Sequence, residues 1–70
     1  MLRGDDMPII DVTVAQGRSP EQLRTLITKL TEAAVEAVDA PAESVRVILR
    51  EVPPTHVAAG DVTIAERRRN

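Results

Sequence analysis

The chain has no cysteine, no phenylalanine, tyrosine or tryptophan, and a single histidine, His56, among its 70 residues. Without cysteine there is neither a disulfide framework nor a thiolate metal site, and one imidazole cannot build a metal cluster. The missing aromatics remove the stacking platforms of RNA- and single-strand-binding modules. A net charge of −2 provides no broad basic field, so no nucleic-acid partner is expected. Apolar runs fall far short of the ~20 residues of a membrane span or the ~7 to 15 of a signal-peptide core. No membrane partner is expected, and the cysteine-free chain fits a cytoplasmic protein. A phosphate-cradling glycine loop, a Cys/His pair and a locally spaced Ser/His/Asp set are also absent, which removes most enzyme chemistries.

Length adds a further constraint. A chain of this size is one packing unit and buries only about 60% of its unfolded surface on folding. With disulfides and metals excluded, self-association is the remaining way to stabilise it.

The polar, aperiodic residues 1–6 and Met7 are expected to be a leader or a misassigned start, removed or disordered, with 8–70 forming the single domain. From Pro8 to Ala15 the residues Ile10, Val12 and Val14 alternate with Ile9, Asp11 and Thr13, which predicts a strand. Gln16-Gly17-Arg18 supplies a turn. Ser19-Pro20-Glu21-Gln22 combines an N-cap serine, a first-position proline and a glutamine able to reach back to the cap, a strong helix start. Leu23, Leu26, Ile27, Leu30, Ala33, Ala34, Ala37 and Val38 predict an apolar stripe along about five turns, ended by Asp39-Ala40-Pro41. Val45 to Val52 alternates again, with Arg46, Ile48 and Arg50 on one side. Strand, helix and strand make a βαβ unit with parallel strands. Pro53-Pro54 stops the second strand. Thr55 to Gly60 reads as a loop or short hairpin, and Val62 and Ile64 as a weak last strand before a polar, solvated tail.

One helix cannot hide both faces of such a sheet. The uncovered face and free strand edges predict an oligomer built on sheets.

Taken singly, Pro8 is an ordinary strand opener, Arg46 a snorkelling strand arginine and His56 an exposed loop residue. Arg18 stands just before a helix N-terminus, where backbone N–H groups also favour an anion. Together the pieces stop looking independent. Met7-Pro8-Ile9-Ile10, Gly17-Arg18-Ser19 followed by Glu21-Gln22, Asp39-Ala40-Pro41, Ser44-Val45-Arg46-Val47-Ile48, and Pro53 through Gly60 closed by Ala65-Glu66-Arg67 resemble the 4-oxalocrotonate tautomerase (2-hydroxymuconate tautomerase) family. The resemblance covers Pro8 to about Arg68. It implies an α+β fold in which two βαβ units form a four-stranded sheet and three such dimers make a hexamer, which answers the burial deficit.

The resemblance also implies an activity: cofactor-independent keto-enol tautomerisation of 2-hydroxymuconate-like unsaturated 2-oxo or 2-hydroxy dicarboxylates, with no metal. The catalytic base would be Pro8 as the amino-terminal residue. A free α-amino group has a reference pKa of about 7.7 to 8.0, lowered by desolvation and by nearby arginines, so the neutral amine is available near neutral pH. With Met7 attached, the nitrogen is a tertiary amide with no basicity. Arg18 and Arg46 match the family's substrate-binding arginines, supplied to each site by different subunits, and planar guanidinium forks suit a small anionic dicarboxylate. Val57 departs from the pattern, standing where the family usually has an aromatic residue lining the substrate site. An aliphatic wall there predicts reduced or altered activity.

Two rival readings keep the same residues. Related dehalogenases add water to haloacrylates with the help of an extra carboxylate near the proline, and Asp11 has no assigned role of that kind. A non-catalytic assembly subunit, half of a hetero-oligomer rather than a homohexamer, is the rival from outside enzymology.

Overall fold

The computed structural model describes residues 7–69; the leader expected over residues 1–7 lies, apart from Met7, outside the described residues. Strand β1 (Ile9–Ala15) leads into helix α1 (Pro20–Val38), and a 3-10 turn (Ala42–Ser44) leads into strand β2 (Arg46–Val52). A second 3-10 turn (Pro54–His56) precedes a small hairpin of β3 (Ala58–Ala59) and β4 (Val62–Thr63), and helix α2 (Ile64–Arg68) follows. β1 and β2 pair in parallel, from Ile9 opposite Arg46 to Ala15 opposite Val52. This is the expected βαβ unit.

The expected start of α1 is present in full. Ser19 accepts from the Gln22 amide at 3.1 Å, and the Gln22 side chain accepts from the Ser19 amide at 2.9 Å, satisfying two amides that the first turn leaves without a partner. The helix stops at Asp39, which adopts the left-handed conformation (φ 57°) while its N–H donates to the Val35 carbonyl.

Packing against the sheet follows the pleat. Ile10, Val12 and Val14 of β1 and Val47 and Leu49 of β2 share one face and are half-buried, as are Leu23, Leu26, Ile27, Leu30 and Ala34 of α1. The stripe differs from expectation at its edges. Val35 is half-buried, whereas Ala33, Ala37 and Val38 are exposed, Val38 at 60%. The lengths explain the last turn: 19 helical residues span about 28 Å. Seven strand residues span about 23 Å, so the helix outruns the sheet by one turn.

The opposite face of the sheet has no cover within the chain. It carries Ile9, Asp11 and Thr13 from β1 and Arg46, Ile48 and Arg50 from β2, with Ile9 63% and Ile48 41% exposed. Only Ala15 and Ala40 are buried among the described residues, so one chain encloses almost no core of its own.

The C-terminal segment departs most from the sequence reading. The hairpin is real, closed by Gly60 (φ 59°) and Asp61 (φ 66°), a two-residue turn whose positive φ at both positions matches the twist of the flanking strands. Ile64, however, belongs to a helix rather than a strand. Thr63 accepts from the Glu66 amide at 3.0 Å and Glu66 accepts from the Thr63 amide at 2.8 Å, a second capping box that turns the expected tail into α2.

Candidate active site

Pro8 and Arg46 occupy one end of the sheet. The Arg46 amide donates to the Pro8 carbonyl at 3.0 Å, extending the parallel ladder one step beyond Ile9. Pro8 has no N–H to give the ladder, so a strand opening is the position that suits it. The Arg46 side chain lies on the uncovered face and donates to the Met7 sulfur at 3.9 Å. Thioether sulfur is a weak acceptor, so this contact barely competes for the guanidinium.

Arg18 stands at the other end. It follows the β1–α1 turn, and its Nη1 donates to the Ala15 carbonyl at 3.2 Å. Seven strand residues separate it from Pro8, about 20 Å along the chain direction. Within one protomer, therefore, Pro8 and Arg46 are brought together and Arg18 is not.

The same turn receives a residue expected in a solvated tail. Arg68 of α2 donates from Nη1 to the Gln16 carbonyl at 2.9 Å. Its guanidinium packs over Gly17, where an added Cβ would come within 3.3 Å of Nη1. Gly17 has φ +130°, a backbone conformation that calls for glycine. The signal for this latch was available in Thr63-Ile-Ala-Glu66, a capping-box pattern that puts Arg68 on a helix.

Val57 is half-buried at the start of the hairpin, where its carbonyl accepts from the Ile64 amide at 2.9 Å. It belongs to the segment after β2, away from the end where Pro8 and Arg46 meet. His56 is exposed in the preceding 3-10 turn.

Asp11 is held by Arg50, whose Nε and Nη2 each donate to one carboxylate oxygen at 2.9 Å. These hydrogen bonds, with the charge behind them, keep the Asp11 carboxyl below its ordinary pKa. Such a carboxylate is a weaker base than a free one. No group of three or more His, Cys, Asp or Glu side chains is placed to hold a metal among the described residues. Two surface depressions of about 500 and 480 Å³ are lined respectively by Thr55, Thr63, Ala65, Glu66 and Arg69 and by Thr31, Glu32, Val35, Glu36 and Ala42. Both lie apart from Pro8, Arg18 and Arg46, so those residues do not form either concavity in a single chain.

The arrangement thus puts a strand-opening proline and an arginine at one end of a βαβ unit whose outer face is bare, and the chain as a whole resembles known proteins. TomN, a 4-oxalocrotonate tautomerase homologue in the tomaymycin biosynthetic pathway, has a TM-score of 0.84 and 44% identity, over 90% of this chain and 97% of that one. A heterohexamer 4-oxalocrotonate tautomerase from Chloroflexus aurantiacus J-10-fl has a TM-score of 0.82 and 43% identity, over 86% and 97%. The 2-hydroxymuconate tautomerase of Pseudomonas sp. strain CF600 is 40% identical over 63 residues, 90% of this chain and 100% of that protein. Since the family described as tautomerase enzyme matches residues 8–67, from the strand-opening proline to the last helix, the chain belongs to the tautomerase family.

Proposed function

We propose that this protein is a cofactor-independent keto-enol tautomerase acting on 2-hydroxymuconate-like unsaturated dicarboxylates, with Pro8 as general base. The observation that carries the proposal is the backbone contact of Pro8 and Arg46, which puts the strand-opening proline and the first residue of β2 at the same end of the sheet. The chemistry requires a secondary amine, so residues 1–7 must be removed before Pro8 can act. That the family match begins at residue 8 supports this boundary.

The neutral amine of Pro8 takes the proton of the dienol hydroxyl, and the resulting ammonium returns a proton to the distal carbon, giving the conjugated ketone. Arg46 holds the near carboxylate and the enol oxygen. Arg18 grips the far carboxylate and draws electron density towards the carbon that receives the proton. Because Arg18 lies about 20 Å from Pro8 in its own chain, the Arg18 of each site comes from a neighbouring copy. The bare face with Ile9 and Ile48, and the near absence of a private core, support assembly into a homohexamer of three dimers. Val57 leaves the wall of the site aliphatic, which favours a slower enzyme than one with a ring there.

Engagement of both Asp11 oxygens by Arg50 favours isomerisation over hydration, because a water-activating base needs a free and more basic carboxylate.

Intact mass spectrometry of natively expressed protein, coupled to an absorbance assay with 2-hydroxymuconate, tests the proposal. A chain starting at Pro8 is expected to turn over substrate, and Pro8→Ala is expected to lower kcat/KM at least about 100-fold. Turnover by a chain that retains Met1, or an undiminished Pro8→Ala variant, refutes it.

A further inference from the structure

On the uncovered face, Asp11 stands opposite Ile48, so Arg46 and Arg50 flank it along β2, two residues to either side. Both diagonals are within reach of long side chains. Asp11 is bound by only one of them: the Arg50 fork occupies both carboxylate oxygens at 2.9 Å. Arg46, on the diagonal nearer Pro8, has the Met7 sulfur at 3.9 Å as its side-chain hydrogen-bond partner. Thr13, Ile9 and Ile48, the other residues of this face, carry no charge.

We propose that Arg50 is a positioning residue that keeps the Asp11 carboxylate off Arg46, so that the Arg46 guanidinium stays open to an anionic substrate. The inference rests on the reading of Arg46 as a substrate-binding residue of a tautomerase. Asp11 presents the same group as the substrate, a carboxylate, and it is tethered at an effective concentration that a ligand in solution does not match. Left unpaired, it is an internal competitor for the nearest guanidinium. A bidentate fork uses both carboxylate oxygens at once, so a single arginine suffices to neutralise the competitor. Arg50 is suited to this because its position two residues beyond Ile48 draws Asp11 away from the Pro8 end.

The roles separate in a mutant cycle on protein that begins at Pro8, assayed with 2-hydroxymuconate. Arg50→Gln releases Asp11 towards Arg46 and is expected to raise KM about fivefold, the scale of an exposed ion pair, with kcat changed by less than about twofold. Adding Asp11→Asn removes the competitor, so the double variant is expected to recover the wild-type KM. A purely structural ion pair predicts a double variant at least as impaired as the single one, and that result overturns the proposal.

A second readout needs no turnover. With aspartate carboxyls labelled with ¹³C, the Asp11 titration is expected to stay depressed in Arg50→Gln, because Arg46 takes over. It should return to the ordinary aspartate range only in the Arg46→Gln/Arg50→Gln variant. Return in Arg50→Gln alone means that Arg46 does not compete, and it sinks the inference. A wild-type protein inert towards 2-hydroxymuconate refutes the tautomerase reading instead, while the titration still decides which arginine holds Asp11.

Discussion

The end of the sheet where β1 begins and the end where both strands stop carry different kinds of group, held in different ways. At the first, Pro8 and Arg46 meet across one backbone rung, and the parallel register alone sets their proximity. At the second, Arg18 is moored on the Ala15 carbonyl and Arg68 on the Gln16 carbonyl, and the latter contact joins residues 52 apart in the chain. The first end is a local consequence of strand pairing. The second depends on α2 returning to the β1–α1 turn, which only the tertiary fold achieves. Each protomer thus holds Pro8 and Arg46 at one end and Arg18 at the other, about 20 Å away, and the proposed function requires assembly to make the two ends meet.

Ile48→Lys offers the most direct way to break this relation. It puts a third cation between Arg46 and Arg50 on the bare face and leaves every proposed site residue intact. Sedimentation velocity should report loss of the large assembly, and turnover should vanish with it. Retained activity in a monomeric variant would show that the two ends never needed to meet.

Arg18→Gln is expected to lower kcat/KM by about 10- to 100-fold, the range of a lost charge-assisted contact. Mixing it with Pro8→Ala protein under conditions that allow subunits to exchange should restore part of the activity, because some sites then draw an intact Pro8 and an intact Arg18 from different copies. No recovery in verified mixed oligomers would place both groups of a site in one chain.

Val57→Trp sharpens the comparison more gently. In protein starting at Pro8, a ring excludes water and holds the amine's pKa down, so turnover near neutral pH should rise about threefold. An unchanged pH–rate profile and rate would remove Val57 from the site wall.

The smallest effect concerns Asp11. Its carboxyl is held below the ordinary value of 3.8 by Arg50, so its contribution to stability is present above that pH and is lost as pH falls through the lower folded value. Thermal melts of the wild type and Asp11→Asn should differ most near neutral pH and converge in acid, once the Asp11 carboxyl is protonated in the folded chain as well. A gap that widens in acid would contradict the assigned direction.

Much of this was legible without coordinates because its causes are local. Ser19-Pro20-Glu21-Gln22 announces a helix through hydrogen bonds made within four residues, and period-two alternation reveals β1 and β2. Pro8, Arg18 and Arg46 stood out through their order and spacing together with Gly17 and Pro41. The second helix is harder to read because the hydrophobic alternation of Val62 and Ile64 overlies the Thr63–Glu66 cap. The Asp11–Arg50 pair joins residues 39 apart, and nothing short of the strand register relates them.

By itself, the order of residues determined the strands, the long helix and its boundaries, and the need for partners, since propensity, capping and burial arithmetic act over a few residues or on composition as a whole. Only the folded chain decided that Asp11 lies between two arginines and binds the one farther from Pro8, that Arg68 returns to Gly17, and that Arg18 stands a strand's length from Pro8. Those relations depend on register and on the path of the chain through space, and a one-residue slip in pairing would reverse the faces of a whole strand.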